Sequence, residues 1–426
     1  MPKKVLIITY YWPPAGGPGV QRWLKFVKYL PNFDVEPIVF IPKNPNYPIV
    51  DESLLSEILN DVTILKHPIK EPYKWANILS KNRSNTISKG IISEQKKQSI
   101  VESIMLYIRG NFFIPDARVG WVSSSVKYLS KYIKEEGINT IITTGPPHSL
   151  HLIGLKLKTQ CQQLKWLTDF RDPWTTIGYH SQLKLTKRSQ KKHVYLEKCV
   201  LEQSDQIIVT SFKTKAEFKG KTNTPIEVIT NGYDDDYTGI PNLDSKFTIS
   251  HIGSLLSKRN PEVLWRILER ITKIHPTFRH DFQLNLIGTV SQTVLDTLHK
   301  FNLLSYANLL GYVSHNQCLA YQRSAQVLLL IEIDAKETQC IIPGKLFEYL
   351  HAKRPIIAIG PKDSDVAHII SETKSGYYFN YQDEIELEQT ILKHYEAFKT
   401  KTLSISPVGI EAYHRKTLTK SLTKLL

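Results

Sequence analysis

Short runs of β-branched and aliphatic residues alternate with helix-like stretches along almost the whole chain. After the run at 4–10, apolar residues recur every three or four positions from Val20 to Leu30, as on one face of a helix. This alternation predicts parallel strands with helices on both faces of each sheet. The predicted strands are 4–10, 35–41, 62–66, 140–144, 166–170, 206–210, 227–230, 247–252, 282–287, 307–310, 326–331 and 355–359.

The strands fall into two series, separated by the polar stretch 234–246. A chain of 426 residues is long enough for two domains that each bury a core. We therefore predict an α/β protein with two doubly wound, Rossmann-like domains. The first would span 1–235, with a mobile insertion at about 67–113, and the second 246–395, while 396–426 would end in a helix.

Composition limits the compartment and the partners. Four cysteines are scattered without a C-x-x-C pair, which argues against a disulfide framework or a zinc site. The apolar run near the N-terminus is too short for a signal peptide or a membrane span, so we expect a cytoplasmic protein. A formal charge of +15 indicates anionic partners such as phosphates, nucleic acid or an acidic membrane surface.

Three glycines lie in the loop after the first predicted strand. This loop and its flanks, 10–20, read Tyr-Tyr-Trp-Pro-Pro-Ala-Gly-Gly-Pro-Gly-Val. Gly16, Gly17 and Gly19 let the backbone approach a ligand, and the amides of the following helix suit an anion. The stretch matches neither the dinucleotide fingerprint nor a P-loop, so a plain strand-to-helix turn remains an alternative.

Two segments of the second domain suit a pyrophosphate. Ser254, Lys258 and Arg259 lie in the turn after the strand 247–252, with Asn260 as the predicted N-cap of the next helix. Cations at a positive helix end favour a bound anion. The second segment begins a helix, where amides could meet phosphate and a carboxylate could meet ribose hydroxyls. Its candidate residues are Gly344, Lys345, Leu346 and Glu348.

Two strand ends in the first domain carry further candidates. His148 follows the strand 140–144, and the next strand ends in an Asp-Phe-Arg-Asp-Pro-Trp sequence. Ligands bind at the carboxyl ends of strands in open α/β sheets, so both segments are expected at an interdomain cleft. The candidates in the second segment are Asp169, Arg171, Asp172 and Trp174.

Taken together, these motifs resemble the retaining glycosyltransferases of family 4, in the bacterial branch with Tyr-Tyr-Trp-Pro-Pro openings. The resemblance covers nearly the whole chain and is carried by 10–19, 114–121, 145–149, 169–174, 231–233, 253–261 and 343–350. It implies the GT-B fold, with the acceptor in the first domain, a nucleotide-diphosphate sugar in the second, and a last helix that crosses back. It also implies transfer with retention, often in surface polysaccharide synthesis. We expect no metal or other cofactor, because the sequence has no Asp-x-Asp at a strand end of the proposed cleft and basic residues could replace the cation.

Residue by residue, the resemblance implies that Arg259 holds the donor diphosphate. It also implies that Glu348 is the second carboxylate of a Glu-x7-Glu motif and contacts ribose. The first carboxylate would fall at Cys340, and Ser254 stands where many members carry Arg. The departure at Cys340 leaves the sugar and the local chemistry undetermined. For the departure at Ser254, Lys258 or Lys345 is the candidate replacement for the missing charge. Gly16, Gly17, Gly19, Gly344 and Leu346 join the donor site. His148 and Asp172 are the catalytic candidates, and Asp169, Arg171 and Trp174 the acceptor candidates.

Two other classes of function stay open. A nucleotide-sugar epimerase of the same fold would place acid and base groups around the donor sugar. A non-enzymatic protein that binds membrane or nucleic acid would use the positive charge, although nucleic acid ranks last because no aromatic residues are interleaved with the lysines. The acceptor is expected to be a glycan or a lipid-linked saccharide. An anionic membrane could meet Lys81, Arg83, Lys89, Lys96 and Lys97 beside the apolar face of Ile100, Ile104, Tyr107 and Ile108.

Overall fold

The computed structural model describes residues 2–71, 100–235, 239 and 242–426. They form two compact units, each described here by itself. The first unit comprises Met1–Thr230 and Arg415–Leu426, and the second comprises Asn231–His414. The lysines and the arginine of the predicted membrane-binding insertion, 81–97, lie outside the described residues.

The first unit contains a parallel sheet of seven strands in the order β3-β2-β1-β4-β5-β6-β7. The side chains of β1 alternate between the two faces, with Leu6 and Ile8 in one apolar core and Val5 and Ile7 in the other. The strands are β1 (Lys3–Ile8), β2 (Val35–Pro42), β3 (Thr63–His67), β4 (Thr140–Gly145), β5 (Lys165–Phe170), β6 (Gln206–Val209) and β7 (Ile226–Val228).

Helices cover both faces of this sheet. The described helices are α1 (Pro18–Tyr29), α2 (Ile100–Phe112), α3 (Val122–Glu135), α4 (Ser149–Gln160), α5 (Lys187–Gln203), α6 (Phe212–Lys219) and α14 (Arg415–Thr423). The C-terminal helix α14 packs on α1, and its Leu418 and Leu422 join the core that contains Trp23. The chain therefore returns to the first unit at its C-terminus.

The second unit contains a parallel sheet of six strands in the order β10-β9-β8-β11-β12-β13. The strands are β8 (Phe247–Ile252), β9 (Phe282–Ile287), β10 (Ala307–Gly311), β11 (Val327–Ile331), β12 (Ile356–Gly360) and β13 (Gly376–Asn380). The helices are α7 (Glu262–Ile274), α8 (Pro276–Asp281), α9 (Gln292–Lys300), α10 (His315–Ser324), α11 (Lys345–Ala352), α12 (Asp365–Thr373) and α13 (Glu384–Lys399). The edge strand β13 is absent from the sequence prediction.

Both sheets reverse their strand order once, between β1 and β4 in the first unit and between β8 and β11 in the second. At such a reversal the loops leave the sheet in opposite directions and open a crevice at the carboxyl ends of the strands. The predicted fold class, two doubly wound Rossmann-like domains, is confirmed. We therefore expect a ligand site in the loops at these two reversals.

Candidate functional site

Gly253 follows β8 directly and adopts φ +117°, a backbone conformation that residues other than glycine rarely adopt. A Cβ at this position would lie 2.8 Å from Nζ of Lys345. Lys345 is the first residue of α11, so the glycine lets the loop after β8 pass close to this helix terminus. Two segments that the sequence separates by about ninety residues thus meet at the β8–β11 reversal.

The amine of Lys345 lies 3.3 Å from Nε2 of His251, a fully buried residue of β8. Burial and the neighbouring charge of Arg259 lower the pKa of Lys345 to about 7, against the opposing effect of Glu348. The charged form of Lys345 is therefore unfavourable in the free protein. An anion bound beside it would stabilise that charged form, so Lys345 is suited to bind one.

Arg259 ends a short 3-10 turn, Ser257–Arg259, in the loop that leaves β8. Its Nε is buried and has no hydrogen-bond partner. Burial lowers the pKa of its guanidinium, and the nearby Glu332 opposes that change. A buried donor without an acceptor is costly, so this nitrogen is suited to a ligand oxygen.

The other candidates in this loop are placed differently. Ser254 and Lys258 are exposed. Asn260 is not the N-cap of α7, which is Pro261. Its side chain instead accepts from Nε1 of Trp265 at 2.7 Å and donates to Thr297 at 2.8 Å. The predicted cap is wrong because these two contacts hold Asn260 against the body of the unit.

Glu332 is a residue of this site that the sequence prediction missed. It follows β11 and is buried, with its carboxylate accepting from Ser364 at 2.9 Å and from Tyr378 at 2.8 Å. Burial raises its pKa to about 7, although both hydrogen bonds and the charge of Arg259 favour the ionised form. An acidic residue directly after the buried run 327–331 was the available signal, since ligands collect at strand ends.

The start of α11 supplies the remaining donor candidates. Gly344 is the N-cap, and the amide of Phe347 already donates to its carbonyl oxygen at 3.2 Å, so the amides of Gly344 and Lys345 are the main-chain candidates for a ligand. Leu346 is fully buried, and its amide donates to the carbonyl oxygen of Pro343 at 3.0 Å. Glu348 accepts from the buried Gln322 at 2.7 Å, and this contact orients its carboxylate. The thiol of Cys340 lies 3.8 Å from the carbonyl oxygen of Glu337.

In the first unit, the glycine loop leads into α1, whose N-cap Gly17 has φ 104°. A Cβ at Gly16 would lie 2.9 Å from the side chain of Ile49, so the loop is tightly packed on that side. The guanidinium of Arg171 lies so close to Gly19 that a Cβ there would overlap it. No acidic side chain lies in the first turn of α1. A cation therefore stands against a positive helix end, an arrangement that an anion would stabilise.

Arg171 and Asp172 follow β5. The guanidinium of Arg171 donates to the carbonyl oxygen of Pro146, while its Nε is buried without a partner. Burial raises the pKa of Asp172, and the adjacent Arg171 opposes that change. A carboxylate with a raised pKa is a better proton acceptor than an exposed one.

His148, the N-cap of α4, is only 4% exposed, and neither ring nitrogen has a partner. Its ring stacks on Trp174 with centroids 5.0 Å apart. Burial, together with His151 and Arg171, holds its pKa well below the ordinary value, so the ring is neutral. A neutral, unpartnered imidazole at a strand end can accept or donate one hydrogen bond to a ligand.

Two predicted acceptor residues lie inside the first unit instead. Asp169 is 0% exposed, and its carboxylate accepts hydrogen bonds from Arg22, Trp23 and Thr144. Trp174 is 1% exposed and donates to Nδ1 of His193 at 3.1 Å. In this geometry Asp169 holds α1 to the sheet and Trp174 supports His148, and neither side chain is open to a ligand.

No protein-family model and no curated protein sequence matches this chain. Solved structures that resemble it include a glycosyltransferase from Rickettsia africae, at 13% identity and a TM-score of 0.62, covering 100% of this chain and 97% of that one. Anabaena HepE, solved with UDP-glucose, has 12% identity and a TM-score of 0.58, with 99% and 98% covered. A putative UDP-N-acetylglucosamine 2-epimerase from Listeria monocytogenes has 12% identity and a TM-score of 0.54, with 99% and 95% covered. At these identities the likeness establishes the fold, which is GT-B.

Proposed function

We propose that this protein is a retaining glycosyltransferase that moves a sugar from a nucleotide-diphosphate donor to a hydroxyl group. The observation that carries the proposal is the meeting of Arg259 and Lys345 at the β8–β11 reversal. The first has an unpartnered buried nitrogen, and the second is costly to charge in the free protein. A diphosphate would satisfy both at once, and Glu348 on the same helix could accept from ribose hydroxyls.

In this proposal the bond between the sugar C1 and the diphosphate oxygen breaks as the acceptor oxygen bonds to C1 on the same face. Negative charge develops on the leaving diphosphate, and the side chains of Arg259 and Lys345 stabilise it together with the amides of Gly344 and Lys345. Ser254 and Lys258 flank this group, and the loop of Gly16, Gly17 and Gly19 is the donor-binding candidate of the first unit. We expect no divalent metal to be needed, because the two basic residues supply the positive charge.

His148, Arg171 and Asp172 are the residues that we assign to the acceptor side. The unpartnered ring of His148 would contact the transferred sugar, and Asp172 would orient or deprotonate the acceptor hydroxyl. The acceptor is a glycan or a lipid-linked saccharide in this proposal, and the setting is surface polysaccharide synthesis in the cytoplasm.

A panel of UDP-, GDP- and ADP-linked sugars tests the function. A donor that binds should raise the melting temperature, because a ligand of the native state stabilises it by mass action. With a glycan or lipid-linked saccharide acceptor, the same donor should release nucleoside diphosphate and form a product, also in the presence of a chelator. Interconversion of the donor sugar without any acceptor would instead identify an epimerase. Activity that a chelator abolishes and manganese restores would refute the metal-free mechanism.

We also propose that the enzyme works at an anionic membrane surface, through an apolar stripe on α2. Ile104, Tyr107 and Ile108 are all more than 40% exposed, and Phe112 is 72% exposed, so the residues that the structure describes leave these side chains of the helix accessible. Among the described residues, none of the helices combines the length and the apolar character that a bilayer crossing requires. The stripe suits contact with the boundary between headgroups and acyl chains.

Basic residues next to α2 favour an anionic lipid as the occupant. Asn111 of α2 donates to the carbonyl oxygen of Lys184 at 3.2 Å and accepts from the main chain of Thr186 at 2.8 Å. Thr186 is the N-cap of α5, so the apolar stripe is joined directly to the first turns of α5. Those turns carry four exposed cations and no acidic residue before Glu197, and such charges favour phosphate headgroups. The four are Lys187, Arg188, Lys191 and Lys192.

A further inference from the structure

His251 lies beneath Lys345 in the second unit, and its tautomer follows from its contacts. Its Nδ1 is 3.1 Å from the carbonyl oxygen of Leu329 on β11. A carbonyl oxygen only accepts, so Nδ1 carries the ring proton. The ring is neutral, because burial and the charge of Lys345 hold its pKa well below the ordinary value. Nε2 is therefore an unprotonated acceptor, and it lies 3.3 Å from the amine of Lys345.

The position of the Lys345 amine depends on this acceptor. Arg259 carries the same charge and acts on Lys345 through space, so repulsion favours rotamers that move the ammonium away. The space beside the ring exists because position 253 is glycine, where a Cβ would lie 2.8 Å from Nζ. The hydrogen bond to His251 opposes the displacement and directs the remaining N–H groups away from the ring.

We propose that His251 is a positioning residue that holds the Lys345 ammonium at the carboxyl end of β8 for the donor diphosphate, and that diphosphate binding takes up a proton at Lys345. This inference rests on the proposed function, because it requires a diphosphate at this edge of the sheet. His251 would not touch the ligand itself. It acts by keeping the charge of Lys345 in place and by favouring the ammonium over the amine.

The proton uptake follows from the charges around Lys345. With a pKa of about 7, lysine is partly amine at neutral pH, and a bound diphosphate raises that pKa. Binding at pH 7 should therefore take up about half a proton, and affinity should fall as the pH rises above 7. The groups that face the pair are Arg259 from the loop after β8, Cys318 from α10, Glu348 from α11, and the main chains of Ser254 and Leu329.

The test uses the full-length protein and UDP, GDP and ADP as probes, with the corresponding nucleosides for comparison. Calorimetry at pH 7 in two buffers of different ionisation enthalpy measures the protons taken up on binding. In His251→Leu, we expect nucleoside diphosphate affinity to fall about tenfold, nucleoside affinity to stay unchanged, and the pH midpoint to move lower. His251→Gln keeps an acceptor oxygen and should recover much of the affinity.

Lys345→Arg keeps the charge but removes the titration, and it keeps the inference testable if the His251 variants do not fold. This variant should bind with a smaller proton uptake than the wild type, which also separates Lys345 from Glu332, whose pKa lies in the same range. Equal proton uptake by the two proteins, or equal loss of nucleoside and diphosphate affinity in His251→Leu, would overturn the inference alone. If the wild type binds none of the three diphosphates, the proposed function fails and this inference with it.

Discussion

The guanidinium of Arg22 donates to the carboxylate of Asp169 at 2.8 Å, and both side chains are almost completely shielded from water. Trp23 and Thr144 donate to the same carboxylate, each at 2.8 Å. One buried anion thereby joins α1 to β4 and β5 at the strand reversal of the first unit. Removing one partner of such a pair leaves an uncompensated buried charge.

We predict that Asp169→Asn lowers the free energy of unfolding by about 3–5 kcal/mol, because Arg22 loses its counter-charge. Burial acts to raise the pKa of Asp169, but Arg22, Thr144 and Trp23 lower it below the ordinary 3.8. The stabilisation is therefore present above the ordinary pKa and lost as the pH falls through the lower native value. Denaturant unfolding between pH 3 and pH 7 measures this difference from the wild type.

Glu136→Gln is the matched control for that experiment. It breaks the pair between Lys4 and Glu136, also 2.8 Å long but with both side chains more than a third exposed. Exposed pairs contribute about 0–1 kcal/mol, so the effect should be small. Equal losses in the two variants would contradict the structural role of Asp169.

The second prediction concerns donor affinity. Arg259→Ala should weaken nucleoside diphosphate binding by about 2 kcal/mol, or about thirtyfold, because a charged hydrogen bond at a buried nitrogen is lost. Titration calorimetry with the best diphosphate of the panel measures it. Arg279→Ala is the control, since that arginine is exposed on α8. Unchanged affinity and turnover in Arg259→Ala would remove the main support for the proposed function.

The third prediction is a pH dependence of stability caused by Glu332. Its native pKa of about 7 lies above the ordinary 4.5, because burial disfavours the charged form. The stabilisation from this group is therefore complete below pH 4.5 and is lost as the pH rises to 7. The difference in unfolding free energy between wild type and Glu332→Gln should fall by about 3 kcal/mol from pH 4 to pH 8.

Glu386→Gln provides the comparison for Glu332→Gln, since Glu386 is an exposed residue in the first turn of α13. The difference between wild type and this variant should stay almost flat over the same pH range. A flat difference for Glu332→Gln as well would show that Glu332 titrates like an exposed carboxyl group in the folded protein.

The fourth prediction concerns the membrane. Binding to vesicles of phosphatidylglycerol and phosphatidylcholine should weaken with salt, and weaken further in a Lys187→Gln, Lys191→Gln, Lys192→Gln variant, at about 1 kcal/mol for each lysine. Ile108→Ser with Phe112→Ser should also reduce binding, because less apolar area enters the interface. Ile274→Ser removes a comparably exposed apolar side chain from α7 and should have no effect. If the wild-type protein does not bind these vesicles at low salt, the membrane proposal is refuted. The proposed transferase would then act on a soluble acceptor.

Local patterns predicted most of the fold. Apolar runs of strand length placed twelve of the thirteen described strands, including β8 and β9 with their observed bounds, because buried parallel strands are continuous in sequence. The exception, β13, reads Gly-Tyr-Tyr-Phe-Asn and lies at a sheet edge. Its Tyr377 is exposed, whereas the hydroxyl of Tyr378 donates to Glu332. Neither the exposure of the first nor the hydrogen bond of the second can be predicted from five residues.

The sequence by itself determined the two-domain α/β organisation and the strand ends and loops where candidate residues lie, because periodicity and glycine position are local properties. Only the tertiary structure decided that Asp169 is an internal counter-ion and that Lys345 rests on His251, ninety-four residues away. Burial, hydrogen-bond partners and pKa depend on groups that distant segments bring together. Those groups are set by how the sheets and helices pack, so the same residue types that indicate a site in sequence acquire their chemical roles only in the folded unit.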